Sequence, residues 1–224
     1  MLDRMTKDGD TVSLEHEKLI PLFTTPFMLH KWPDIDALNR ELRDLILERE
    51  RTTTGRDLSN VGGWQSDPDF HRWAGEAGKA ITDRTNALVN HATDMVLGAH
   101  GLKQKVRWGV SLWANVNRRG HYNMAHCHPD ATWSCVYYVD CGDSDPNNDK
   151  SGVITFLTPN AASGVSFFTE TVGNKFNVWP ESGLMLVFPS YLTHMVHPYT
   201  GERPRVSISF NYQALQGPRP GAPG

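Results

Sequence analysis

A change of period near Gly101 constrains this fold more than any other feature of the chain. Before it, apolar residues recur at helical spacing: Ile35, Leu38, Leu42, Leu45 and Ile46 in one stretch, then Ile81, Leu88, Ala92 and Met95 in another. Steps of three and four place such residues on one stripe of a helix. The spacing therefore predicts amphipathic helices over 34–50, with Asp34 as N-cap, and over 74–100, where Gly75 and Gly78 weaken the first turns. After Gly101, short runs rich in Val, Phe, Tyr and Trp alternate with turns of Gly, Pro, Asn and Asp. These predict strands near 105–117, 121–128, 133–140, 152–157, 165–170, 175–179, 184–189, 193–198 and 204–213. Many short strands behind two helices imply a mainly β fold, an antiparallel sandwich or barrel with the helices packed on one side.

At 224 residues the chain reads as a single domain, 1–224. Residues 1–18 are polar and read as a loose N-terminus. The stretch 19–100 holds a strand from Leu19 to Trp32, broken by Pro21 and Pro26, and the supporting helices, with a loop over Arg51–Asp69. The strand-rich core covers 101–213, and the Gly/Pro-rich stretch 214–224 reads as a flexible tail. A net charge of -3 offers no basic footprint for nucleic acid. No apolar run is long enough to cross a membrane, and the first residues lack the apolar core of a signal peptide. Three cysteines, Cys127, Cys135 and Cys141, are an odd number at no structural-zinc spacing, so a cytoplasmic location is expected.

The chemistry concentrates in two segments. In His126-Cys127-His128, two imidazoles lie two positions apart, so on a strand they share a face and Cys127 takes the other. Neutral imidazole is a good ligand for Fe(II), Zn(II) or Cu(II), although an H-x-H pair alone is a weak signal. The second segment, Phe188 to Pro198, reads as a buried strand, a tight turn and another strand that carries His194 and His197. Those two differ by three and cannot both face inward; one is the candidate third ligand and the other a rim residue. Downstream, Arg205, Ser207 and Ser209 line one face of an alternating strand. A polar inward row is costly unless something polar is bound against it.

These residues resemble the iron(II)/2-oxoglutarate-dependent oxygenases over about 105–213. The likeness is closest to a bacterial and phage branch with patterns H-x-H-P, S-G-V-Y-Y and F-P-S-x-L-x-H-x-V-x-P. They appear here as His126-Cys127-His128-Pro129, Ser134-Cys135-Val136-Tyr137-Tyr138 and Phe188 through His194 to Pro198, and Gly62-Gly63-Trp64-Gln65-Ser66 extends the likeness. The resemblance implies a double-stranded β-helix, a jelly-roll variant. It implies Fe(II) held by His126, His128 and His194, with 2-oxoglutarate as cosubstrate and O2 as oxidant. The far carboxylate of 2-oxoglutarate would pair with Arg205, helped by Ser207 and Tyr138, with Asn115 near its inner end. Two departures stand out. His128 occupies a position that is Asp or Glu in most of the family; Asp130 is the alternative source of a carboxylate, although Pro129 breaks the strand between them. Cys135 replaces a Gly of the branch pattern.

The resemblance implies oxidative decarboxylation of 2-oxoglutarate to succinate, coupled to hydroxylation or another oxidation of a small-molecule or peptide substrate. Trp64, Gln65, Tyr122 and His197 are candidates to line its mouth, against plain packing or exposure, which size alone favours for Trp64. Two other readings stay open: a three-His cupin-type metalloenzyme that uses no 2-oxoglutarate, and a non-catalytic metal-binding jelly roll. The pair Arg205-x-Ser207 favours the oxygenase. The acidic loop 140–149 lacks the glycine and terminal Glu placement of a calcium loop and is not flanked by helices, so it reads as a solvated turn.

Overall fold

Alternation along the last strand explains how the molecule is layered. Val206, Ile208, Phe210 and Tyr212 are completely buried in one core with Ile81, Leu88, Val89 and Ala92 of the long helix. Arg205, Ser207, Ser209 and Asn211 point the other way and line a cavity. Period-two alternation thus separates an apolar layer under the helices from a polar layer inside the sandwich.

The structure is a computed structural model that describes residues 4–5, 11–12, 24–144, 147–148, 150–159 and 174–216. In chain order its strands are β1 (Arg4–Met5), β2 (Thr11–Val12), β3 (Met28–Lys31), β4 (Asn60–Val61), β5 (Trp64–Gln65), β6 (Arg107–Asn117), β7 (Tyr122–His126), β8 (Trp133–Asp140), β9 (Ile154–Leu157), β10 (Lys175–Val178), β11 (Leu184–Pro189), β12 (His194–Val196) and β13 (Arg205–Gln216). The helices are α1 (Asp36–Thr52), α2 (Phe70–Trp73) and α3 (Gly75–Ala99). A major sheet runs β3-β11-β8-β13-β6-β5, and a minor sheet runs β10-β9-β12-β7-β4. Their pairings are antiparallel. The two sheets form the double-stranded β-helix, and the long helices cover the outer face of the major one. A second core of Tyr138, Ile154, Phe156, Leu186 and Phe188 lies between the sheets. Each such side chain contributes roughly 1.5–3 kcal/mol on burial.

Several expectations shift. The N-cap of α1 is Ile35 with no side-chain hydrogen bond, and Asp34 sits at φ 50° instead of capping. Within 19–32 the described strand is only Met28–Lys31, because Pro26 cannot donate to a ladder. The 51–69 loop is not bare. Its β4 pairs with β7 of the minor sheet and β5 with β6 of the major one, so the loop ties the two sheets together. The Asn60 amide braces it with bonds to the Arg56 and Gly63 carbonyls. A one-turn α2 precedes α3. β13 continues to Gln216, because Gly109, Trp108 and Arg107 extend the partner strand, so 214–216 belong to the sheet and not to the tail. The strand expected at 165–170, most of 1–18 and the rest of the tail lie outside the described residues.

Candidate functional site

β12 and β7 pair so that His194 stands directly opposite His126. Their ring centroids are 4.4 Å apart, and His128 lies 5.0 Å from His126 and 5.4 Å from His194. One nitrogen from each ring lies within 4.8 Å of the other two. His128 reaches the group differently from the expectation of a shared strand face. β7 ends at His126, and the chain turns so that the His128 amide donates to the Ser190 carbonyl at 2.8 Å. Pro129 follows and has no N–H with which to continue the ladder. Asp130 is exposed and outside the group.

Local bonds fix which nitrogens face the centre. His126 Nδ1 lies 2.7 Å from the Met124 carbonyl and His194 Nδ1 lies 2.9 Å from the Leu192 carbonyl. A carbonyl only accepts, so each Nδ1 carries the proton and each Nε2 keeps a lone pair. At His126 that lone pair faces the Ser59 hydroxyl at 3.3 Å. Burial holds all three imidazoles below their usual range. His194 is lowered to about 3, by burial and then by His126; His128 is lowered to about 4, by burial and then by the same neighbour. His126 is lowered by burial. Three neutral imidazoles with converging lone pairs suit a borderline divalent cation.

The same cavity, of about 390 Å³, extends to Arg205. Arg205 is 2% exposed, yet its one hydrogen bond among the described residues is a long 3.4 Å contact to Asn117 Oδ1. Among the described residues its Nε is buried with no partner at hydrogen-bond geometry, and so is the Tyr138 hydroxyl. The guanidinium carbon sits 5.2 Å from the centre of the Tyr138 ring. Burial pushes the Tyr138 phenol up to about 12, against the pull of the Arg205 cation, so it stays a donor. A buried cation and a buried hydroxyl, both with unused donors, are costly unless an anion accepts from them. Those donors fit the far carboxylate of 2-oxoglutarate. Gly152 closes this end at φ 64°, where an added Cβ would lie 3.1 Å from Arg205 Nε.

Ser207 is buried on the same row, paired across the sheet with Asn115 on one side and Tyr138 on the other. Asn115 lines the cavity and donates to the Ser209 hydroxyl at 3.1 Å. Gln65 is buried and lines it too. Trp64, Tyr122 and His197 fall outside the lining. The Trp64 indole packs on the outer core and donates to the Thr53 carbonyl, Tyr122 pairs with Val61, and His197 bonds the Thr155 hydroxyl at 2.9 Å. Sequence reasoning passed over Trp113, Asn117, Ser134 and Asn211, which also line the cavity. Asn115 and Asn117 share parity on β6, as Ser209 and Asn211 do on β13, and that was the available signal.

Residues 111–211 match the model of a family described as putative 2OG-Fe(II) oxygenase. Over this span the chain is similar to that family. The matched span runs from β6 to β13 and contains the three histidines and Arg205. Solved structures of similar fold include two prolyl hydroxylases and HygX. A prolyl hydroxylase from Trichoplax adhaerens, in complex with a hypoxia inducible factor peptide fragment, superposes with TM-score 0.63 at 14% identity, covering 86% of each chain. A prolyl-4-hydroxylase from Pseudomonas putida gives TM-score 0.58 at 18% identity, over 87% of this chain and 96% of that one. HygX from Streptomyces hygroscopicus, with nickel, 2-oxoglutarate and hygromycin B bound, gives 0.54 at 14% identity, over 86% and 84%. No curated protein matches the sequence. The chain is thus similar to the 2OG-Fe(II) oxygenases over its strand-rich core, and the three-His cluster lies in the cavity of that core.

Proposed function

We propose that His126, His128 and His194 hold the iron and that Arg205 anchors the cosubstrate. The observation that carries this reading is the buried Arg205 Nε beside the buried Tyr138 hydroxyl, neither with a partner at hydrogen-bond geometry among the described residues, in the cavity that holds the three imidazoles. Arg205 would take the far carboxylate through its planar fork. Tyr138 and Ser207 would donate to the same group, and Asn115 would contact the inner end. When bound, Fe(II) with 2-oxoglutarate supplies the oxidising chemistry: O2 is consumed, 2-oxoglutarate becomes succinate and carbon dioxide, and one oxygen atom goes to the substrate. The protein's own part is to orient and to desolvate. The Nδ1 bonds to Met124 and Leu192 hold two imidazoles in the tautomer that leaves Nε2 bare. Phe156 and Phe188 pack against His194 and keep water from that side.

The substrate is a small molecule or a peptide, and Gln65 lines the cavity that receives it. We read the chain as one domain working in the cytoplasm; its three cysteines are all unpaired, which fits a reducing compartment. No helix among the described residues is long and apolar enough to cross a membrane. The test is anaerobic titration with Fe(II) and then 2-oxoglutarate, read by the visible charge-transfer band of the ternary complex. A band that requires both additions supports the reading. Iron uptake without 2-oxoglutarate binding would overturn it and favour a three-His site that works without a cosubstrate, which a ligand group lacking any carboxylate also suits.

A further inference from the structure

The cavity floor is longer than its cosubstrate. It consists of the inward rows of three neighbouring strands. On β13 the row is Arg205, Ser207, Ser209 and Asn211; on β6 it is Asn117, Asn115 and Trp113; on β8 it is Tyr138, Val136 and Ser134. Exposure rises along the β13 and β6 rows, while Ser134 at the far end of the β8 row stays buried. Arg205 and Ser207 are buried, Ser209 and Asn211 are half-buried, and Gln213 is exposed; on β6, Asn117 is buried, Asn115 and Trp113 are half-buried, and Ser111 is exposed. Arg205 therefore marks a closed end, and Asn211 stands toward the mouth. Six strand steps separate them, about 20 Å at roughly 3.4 Å per residue. A five-carbon diacid is about as long as two strand residues, roughly 7 Å. Held at Arg205, it leaves the outer half of the floor free.

The chemistry of that outer half is uniform. Asn115 donates to Ser209 at 3.1 Å, and Ser134 lies 2.8 Å from Asn211 Oδ1 and 3.0 Å from the Ser190 hydroxyl. Ser190 carries His128 on its carbonyl, so this cluster sits beside the imidazole group. The indole of Trp113 lies 6.0 Å from the His128 ring. Asn211 Nδ2 and Asn115 Oδ1 make no hydrogen bond among the described residues and border the cavity. No Asp or Glu lines the cavity among the described residues; of its two arginines, one is at the closed end and the other, Arg56, faces Asp67 at 3.8 Å.

We propose that Trp113, Asn115, Ser134, Ser209 and Asn211 form the substrate subsite, and that it takes a neutral group with an amide donor and acceptor and a flat apolar face. Amides and hydroxyls match such a group bond for bond. With 2-oxoglutarate occupying the open positions of the metal, a carboxylate or an ammonium would lose its hydration there without meeting an opposite charge among the side chains of the subsite. The proposal rests on the cosubstrate reading only for what fills the Arg205 end.

The test is proton–nitrogen correlation NMR on the zinc-loaded full chain, with and without 2-oxoglutarate. N-acetylglycine N-methylamide, acetate and methylammonium serve as separate probes. With 2-oxoglutarate bound, the diamide is expected to move the side-chain amide signals of Asn115 and Asn211 saturably and to leave the Arg205 Nε–H signal still, whereas the two charged probes move neither; without it, acetate is expected at the zinc and Arg205 only. Ser134→Ala and Asn211→Leu should weaken the diamide about two- to tenfold, the effect of one neutral hydrogen bond. Asn211→Asp keeps the size of the side chain and should turn the preference toward methylammonium; it decides the matter if the leucine variant does not fold. Preference of the native protein for a charged probe, or amide signals that stay still with the diamide, overturns the subsite. Failure of 2-oxoglutarate to move the Arg205 signal counts instead against the cosubstrate reading, and the diamide arm is read independently of it.

Discussion

His194 and His126 face each other across the β12–β7 pair at a ring separation of 4.4 Å, while His197, three residues on, turns away to Thr155. Replacing either member of the facing pair, or His128, with Ala should cost iron affinity by more than the about ten- to hundredfold typical of losing an outer-sphere partner. Metal analysis of purified protein checks this. Asp130→Ala and His197→Ala should retain iron; loss of metal in Asp130→Ala would place the carboxylate in the ligand set.

Arg205→Lys should weaken 2-oxoglutarate while leaving iron bound. An ammonium cannot reproduce the planar fork, and one charged hydrogen bond is worth about 1.5–3 kcal/mol, about ten- to a hundredfold in affinity. Calorimetry on the two proteins decides it, and equal affinities would remove Arg205 as the anchor.

Gly152→Ala should damage the same end from behind. At φ 64° an L side chain costs about 1–2 kcal/mol, and its Cβ would press on Arg205 Nε and Cδ at 3.1 and 3.2 Å. The expected result is a lower denaturation midpoint together with weaker 2-oxoglutarate binding. A change in stability alone would show that Arg205 tolerates the displacement.

Metal-free protein should lose stability as pH falls below about 6.5. His128 and His194 have folded-state values of about 4 and about 3 against an ordinary 6.5, so in that window the unfolded chain binds more protons than the folded one. Stability therefore rises with pH through the window, and the histidines add no slope above it. Urea midpoints of metal-free protein at pH 7.5 and 5.5, set beside those of His194→Gln, isolate the effect. The variant should show the shallower dependence; parallel profiles would mean that His194 titrates normally in the fold.

The sequence by itself determined the elements and their faces. Helical spacing at Ile81, Leu88 and Ala92, and strand alternation at Arg205, Ser207 and Ser209, are local periodicities, and packing against one core preserves them. Boundaries were legible where a residue forbids continuation, as at Pro189, where β11 ends. Only the tertiary structure decided which distant positions meet. Strand register pairs His194 with His126 and Ser207 with both Asn115 and Tyr138, and alternation within a strand carries no information about register between strands. His128 joins the centre through a turn bonded to Ser190 rather than through strand parity, and the choice of His194 over His197 follows from the register that sets His194 opposite His126. The gradient from a closed, charged end to an open, neutral one along β13 and β6 is likewise a property of strands side by side, because burial depends on neighbours that the chain brings in from far along its length.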